Sequence, residues 1–410
     1  MTTEADLSTP SRPAEGRAPS AGSAPAVLQV VPRLVSGGVE RGTVEVTAAL
    51  TAAGWRAYVA SAGGPMVEEV ERAGGVHLTL PVAAKNPLVM WRNVARIEAE
   101  IRRHRIDIVH ARSRAPAWSA WAAARRGGAH FVTTFHNAYG AGNALRRLYN
   151  SAMAKGERVI AISDFVADYA RTVYGVEPAR LRVIPRGVDV TRFDPADVAP
   201  ERVERLAAEW RLPPNRGRVV LLPGRLTRWK GQIDLIDAAA RLGSRTDLLF
   251  LLVGSGADRP EYKREIEAAI ARHRLGERVR LLPACRDMPA AFLLADLVVS
   301  ASTRPEGFGR VIVEAQAMGR PVVATDHGGA RETVIPGETG WLAPPGDAPA
   351  LAAAIEAALD QPAQARAALA ARAIEHVRRH FTTGLMCART LAVYRELTSA
   401  PAPAAAPSAP

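Results

Sequence analysis

Val219-Val220-Leu221-Leu222-Pro223-Gly224-Arg225-Leu226-Thr227-Arg228-Trp229-Lys230-Gly231 is the stretch from which the rest of the chain is read. An apolar run of strand length ends at a glycine, and a helical apolar pattern follows Gly231. Such a turn leaves backbone amides free, and the helix N-terminus behind it attracts anions. Gly224 allows a ligand close to the backbone. Arg225 offers a planar fork and Lys230 a compact point charge, the two cations that suit a phosphate. Only four residues are lysines (Lys85, Lys155, Lys230 and Lys263), and one of them stands in this turn. Arg228 reads as solvated.

Downstream, Glu306 and Glu314 bracket Gly307-Phe308-Gly309-Arg310. Carboxylates accept hydrogen bonds from hydroxyls, and the glycines let a ligand approach the main chain. A phosphate grip joined to a hydroxyl grip points to a sugar nucleotide as ligand.

The G-R-x4-K-G turn, the E-x7-E pair within RPEGFGRVIVEAQAMGRPVVATDHGG (304–329), SGGVE (36–40), TTFHN (133–137) and AISDF (161–165) together resemble the retaining GT-B glycosyltransferases of family 4. The resemblance spans roughly residues 26–398, with the motifs in the family's order. It implies an α/β fold of two Rossmann-like, doubly wound parallel-sheet domains facing across a cleft. HARSRAPAWSA (110–120) and IPRGVD (184–189) look similar to bacterial lipopolysaccharide-core mannosyltransferases, which implies a GDP-mannose donor, with a UDP-sugar as the alternative.

The pattern of elements agrees. Strand-like runs at 27–31, 56–60, 76–80, 106–110, 130–135, 158–162 and 181–185 alternate with helical stretches. A second series follows at 218–222, 247–253, 278–282, 296–300, 321–325 and 340–342. Short apolar strands alternating with helices predict parallel, doubly wound sheets. The expected organisation is a disordered leader at 1–24, a first domain at 25–190 and a proline-marked linker at 191–216. A second domain at 217–382 and a tail at 399–410 complete it. By resemblance, a helix at 383–398 returns to the first domain. A chain of 410 residues exceeds what one core usually serves. Ligands of open α/β sheets sit beyond the carboxyl ends of the strands, where Gly37, His136, Arg225 and Glu306 all fall.

Composition bounds the class. No apolar run approaches the ~20 residues of a membrane span. The leader lacks the apolar core of a signal peptide. Two cysteines, Cys285 and Cys387, stand far apart without a C-x-x-C, which excludes a disulfide scaffold and fits a reducing cytoplasm. Both read as small core residues. The formal charge is +12, and residues 89–158 alone hold 13 basic and 4 acidic residues. That segment reads either as arginine-rich decoration of solvated helices or as attraction to an anionic partner. The docking face expected for an anionic membrane is Leu145, Arg146, Arg147 and Leu148, which would place the enzyme on the inner face of the cytoplasmic membrane. Trp118 and Trp121, at helical spacing, are better suited to a core. Nucleic acid is not expected, because aromatic residues are sparse and no nucleic-acid motif is visible.

Within the site, Arg225 and Lys230 form a diphosphate clamp, and fixed cations there stabilise a departing phosphate. No D-x-D motif is present, so neither cofactor nor metal is expected. Gly37-Gly38 closes the first strand-to-helix turn and lacks the G-x-G-x-x-G dinucleotide pattern. The resemblance implies that this loop reaches the donor diphosphate, that Glu306 faces the donor sugar and that Glu314 holds the ribose. It further implies that the backbone at Phe308 and Gly309 meets phosphate and that His136 contacts the transferring sugar. His110 is a weaker candidate on the acceptor side, and His327 reads equally as structural. Where the family commonly carries Asn, this chain has Arg186, either a reader of an anionic acceptor or a hinge ion-pair partner. The expected acceptor is a cell-envelope glycan or glycolipid. A sugar-nucleotide epimerase and an inactive sugar-nucleotide-binding protein are the alternatives.

Overall fold

The computed structural model describes residues 24–398 apart from Ser36, Ala141, Ala257 and Asp258. The expected leader, save Ala24, and the tail at 399–410 lie outside the described residues. The first sheet holds β1 (Ala26–Val30), β2 (Arg56–Ser61), β3 (Val76–Thr79), β4 (Ile108–Ala111), β5 (His130–Phe135), β6 (Arg158–Ala161) and β7 (Leu181–Val183), in the order β3-β2-β1-β4-β5-β6-β7. The second holds β8 (Arg218–Pro223), β9 (Leu248–Val253), β10 (Val279–Leu282), β11 (Leu297–Ser300), β12 (Val322–Thr325) and β13 (Trp341–Ala343), in the order β10-β9-β8-β11-β12-β13.

Every pairing is parallel. Parallel strands are covered by helices on both faces, so their sequences run apolar without alternation. All residues of β1 and of β9 are buried for this reason. In each sheet the strand order reverses once, between β1 and β4 and between β8 and β11. Those two switch points are where a doubly wound sheet opens a crevice beyond its strand ends.

The stretch at 191–216 is less irregular than its prolines suggest. Pro200 starts a helix, Pro200–Glu209, since its missing amide and fixed φ suit a first helical position. That helix buries Leu206, its C-cap Trp210 is buried beside it, and it packs on helix Met288–Leu294. Arg202 binds Asp287 at 2.7 and 3.0 Å beside it. The final helix, Thr383–Thr398, lies on the first domain against helix Gly38–Ala52. Its Met386, Cys387, Leu391 and Tyr394 share an apolar cluster with Val27, Leu50 and Trp55. Cys387 is buried in the core as expected, whereas Cys285 is half-exposed at its edge. No helix among the described residues is long and apolar enough to cross a membrane.

Candidate active site

The second-domain half of the site starts where β8 stops. Residues 224–230 form a turn closed by Gly231, which caps helix Gln232–Arg241 at φ 71°. A side chain is excluded there twice over, by the left-handed backbone and by the Ala301 carbonyl, which a Cβ would meet. The turn brings Lys230 back over Glu306, with Nζ donating to Oε1 at 2.7 Å. Ser302 Oγ donates to the same carboxylate oxygen. The two motifs recognised separately in the sequence therefore meet. Arg225 is exposed at the head of the turn, its carbonyl accepting from Gln232 Nε2 at 3.0 Å. Arg228 points away and binds Glu265. Gly224 packs beside the Lys230 stem, with the nearest approach of a Cβ 3.7 Å.

Glu314 lies one turn into helix Arg310–Ala317, which Gly309 opens at φ 84°. Burial pushes its carboxyl above the ordinary range, against the pull of Arg310, whose Nε stands 3.3 Å away. Phe308 is committed to the core, edge-on to Phe381 at 5.5 Å, so only its backbone is left for a ligand. The TDHGG loop backs this segment, with Gly329 N–H donating to the Glu306 carbonyl at 2.9 Å. Both ring nitrogens of His327 are buried there without a partner among the described residues.

The first-domain half faces it. Gly37 and Gly38 open helix Gly38–Ala52, with no side-chain cap on its amides. A Cβ on Gly38 would lie 3.4 Å from Arg310 Cδ, so this loop already touches the other domain. His136 follows β5 and donates its amide to Tyr139 Oη at 3.1 Å. Its carbonyl abuts Gly307, where a Cβ would approach to 2.6 Å. Burial, then Arg186, Arg112 and His110, hold the imidazole well below its ordinary pKa, and Nε2 has no partner among the described residues. A neutral His136 thus stands beside the Glu306 loop. Three further bonds close the domains here. Ser163 Oγ donates to the Gly307 carbonyl at 2.6 Å, and Glu332 accepts the Asp164 and Phe165 amides at 2.8 Å each. Glu332 caps a helix of the opposite domain, and nothing local in the sequence could have announced it.

His110 is not an acceptor contact. It is fully buried, Nδ1 bonded to Tyr394 Oη at 2.6 Å and Nε2 to Thr134 Oγ1 at 2.7 Å, and it pins the last helix to β4. Arg186 is not a hinge ion-pair partner: it is 5% exposed, and no carboxylate bonds it among the described residues. Arg112, unremarked in the sequence, is buried beside it. Arg146 and Arg147 lie on helix Ala144–Ser151, where Leu145 is 80% and Leu148 61% exposed. Trp118 and Trp121 instead pack edge-on at 5.7 Å against the core.

Residues 36–192 match the family model described as Glycosyltransferase Family 4, and residues 207–376 match that described as Glycosyl transferases group 1. The D-inositol 3-phosphate glycosyltransferase of Salinispora tropica is 31% identical over 400 residues, covering 90% of this chain and 80% of that one. A glycosyltransferase from Rickettsia africae ESF-5 superimposes with a TM-score of 0.84 at 37% identity, over 91% of this chain and 98% of that one. Anabaena HepE, solved with UDP and glucose, gives 0.80 at 25% identity over 90% of this chain and 99% of its own.

Proposed function

The chain belongs to the GT-B glycosyltransferases of the family 4 and group 1 type, and on that premise we propose that it moves a hexose, with retention, from a nucleoside-diphosphate donor to a hydroxyl of a cell-envelope glycan or glycolipid. The observation that carries this reading is the Lys230–Glu306 pair beside neutral His136 at the junction of two switch points. Arg225 and Lys230 receive the diphosphate, and Lys230 exchanges Glu306 for the β-phosphate. Glu306 is then free to accept hydroxyl bonds from the sugar, while Glu314 takes the ribose and the Gly37-Gly38 amides approach the diphosphate. As the bond from the anomeric carbon to the β-phosphate oxygen breaks, charge grows on that oxygen, where the two cations stabilise it most. The acceptor oxygen attacks from the same face, and its proton passes to the departing phosphate. His136 Nε2 hydrogen-bonds the transferring sugar. The cations supply this charge stabilisation without a metal.

Two donors fit. The HepE complex with UDP and glucose favours a UDP-sugar. The segments 110–120 and 184–189, similar to lipopolysaccharide-core mannosyltransferases, favour GDP-mannose. The test is release of UDP from UDP-glucose and of GDP from GDP-mannose in EDTA, with and without an envelope glycolipid extract. A transferase releases one nucleotide in proportion to the extract. Conversion of the sugar nucleotide without acceptor would instead establish an epimerase, and binding without turnover an inactive protein.

A further inference from the structure

Beside the N-terminus of helix Gly38–Ala52, three arginines converge from distant parts of the chain: Arg112 after β4, Arg186 after β7, and Arg310. Arg112 is 3% and Arg186 5% exposed. Glycines make the room. A Cβ on Gly42 would lie 2.6 Å from both Nη1 and Nη2 of Arg186, and one on Gly38 would lie 3.8 Å from Nη2. The donors outnumber their acceptors. Arg112 Nη1 binds Gln29 Oε1 at 2.9 Å, but its Nε has no partner among the described residues. Among the described residues Arg186 has only the Met386 sulfur, 4.0 Å from Nη1, and its Nη2 has no partner. Glu314 stands beside Arg310 alone. Glu40 and Glu45 on the helix face Arg112, and Glu45 faces Arg186, without bonding either. Burial, then Arg112 and Arg310, bring the Arg186 guanidinium down to about 9. Buried like charges with idle donors are costly unless an anion satisfies them.

We propose that this is an oxyanion site for the acceptor: a phosphate or carboxylate carried by the acceptor sits between Arg112 and Arg186 beside Gly42, with Arg310 closing over it from the donor domain. The proposal rests on the transferase reading, in which the donor diphosphate belongs to Arg225, Lys230 and the Gly37-Gly38 amides. Arg112 and Arg186 follow strands of the other domain, where the acceptor must approach. Planar guanidinium forks suit an oxyanion that presents two oxygens at once, and phosphate and carboxylate share that feature.

Inorganic phosphate and acetate are the probes, titrated by calorimetry into the full chain saturated with UDP and, separately, with GDP. Binding of either anion is expected to persist with nucleotide present, and the better of the two names the acceptor's group. Arg186→Met should weaken it by about 10–100-fold, the loss of one or two charge-assisted bonds, with nucleotide affinity unchanged. Should that variant fail to fold, Arg186→Lys keeps the charge, loses the fork and should show a smaller loss. Displacement of the anion by nucleotide, or equal anion affinity in wild type and variant, overturns the proposal. If neither nucleotide binds but the Arg186-dependent anion site remains, the transferase reading fails and the anion site stands.

Discussion

Lys230 is held by one carboxylate, and its removal touches both partners. Lys230→Ala strips the departing phosphate of its point charge and leaves Glu306 without its cation, and turnover should fall by roughly 10²–10³, the scale of losing one preorganised charge-stabilising donor. Turnover within a factor of two of wild type, in a donor-consumption assay, would contradict the clamp. The histidines set a second expectation. Burial holds His110 and His136 well below their ordinary pKa, while in the unfolded chain both protonate near 6.5. The unfolded state therefore binds more protons below neutrality, and stability falls as pH drops through that value toward the folded pKa values. Thermal midpoints measured from pH 8 to 5 should decline, and His110→Gln should flatten the slope. A midpoint that stays level to pH 5 in the wild type would contradict it. Lys230 and Glu306 were legible because their residue types and glycine neighbours are unusual together. His110 was misread because its partner, Tyr394, is 284 positions away. Arg112 was overlooked because arginine is common in this chain.

At the scale of elements, the strands were readable because parallel, doubly covered strands must be apolar throughout, and β9 is Leu-Leu-Phe-Leu-Leu-Val. Helix Pro200–Glu209 was not, since proline that starts a helix and proline that breaks one look alike without the backbone. Helix Ala144–Ser151 carries its own expectation. Leu145 and Leu148 project into solvent beside Arg146, and Arg147 reaches the Val173 carbonyl at 2.8 Å. We propose that this helix docks on an anionic lipid surface, where each cation contributes about 1 kcal/mol and molar salt shrinks the Debye length to ~3 Å. In vesicle co-sedimentation, wild type should bind anionic lipid at low salt only, and Arg146→Glu/Arg147→Glu should not bind. Equal binding to anionic and neutral vesicles, or no effect of the double reversal, would contradict it.

Over the whole molecule, two switch points face one another, and residues from both domains meet at Gly307. The two-domain plan was legible as two series of strands, but the clasp was not, because Glu332 and the amides it accepts are 167 and 168 positions apart. Glu332→Ala removes the acceptor of the Asp164 and Phe165 amides at the N-terminus of helix Asp164–Tyr174, where Ser163 still caps the Val166 amide, a loss of about 0.5–2 kcal/mol. The variant should open more readily, with a larger radius of gyration in small-angle scattering. An unchanged radius and an unchanged thermal midpoint would count against the clasp. The central claim, that this junction grips a nucleoside diphosphate through Lys230, is tested most directly by titrating UDP and GDP into wild type and Lys230→Ala. One nucleotide should bind the wild type and bind the variant at least ~10-fold more weakly, the loss of one charge-assisted bond. Binding of neither nucleotide to the wild type, or equal affinity for both proteins, would contradict it.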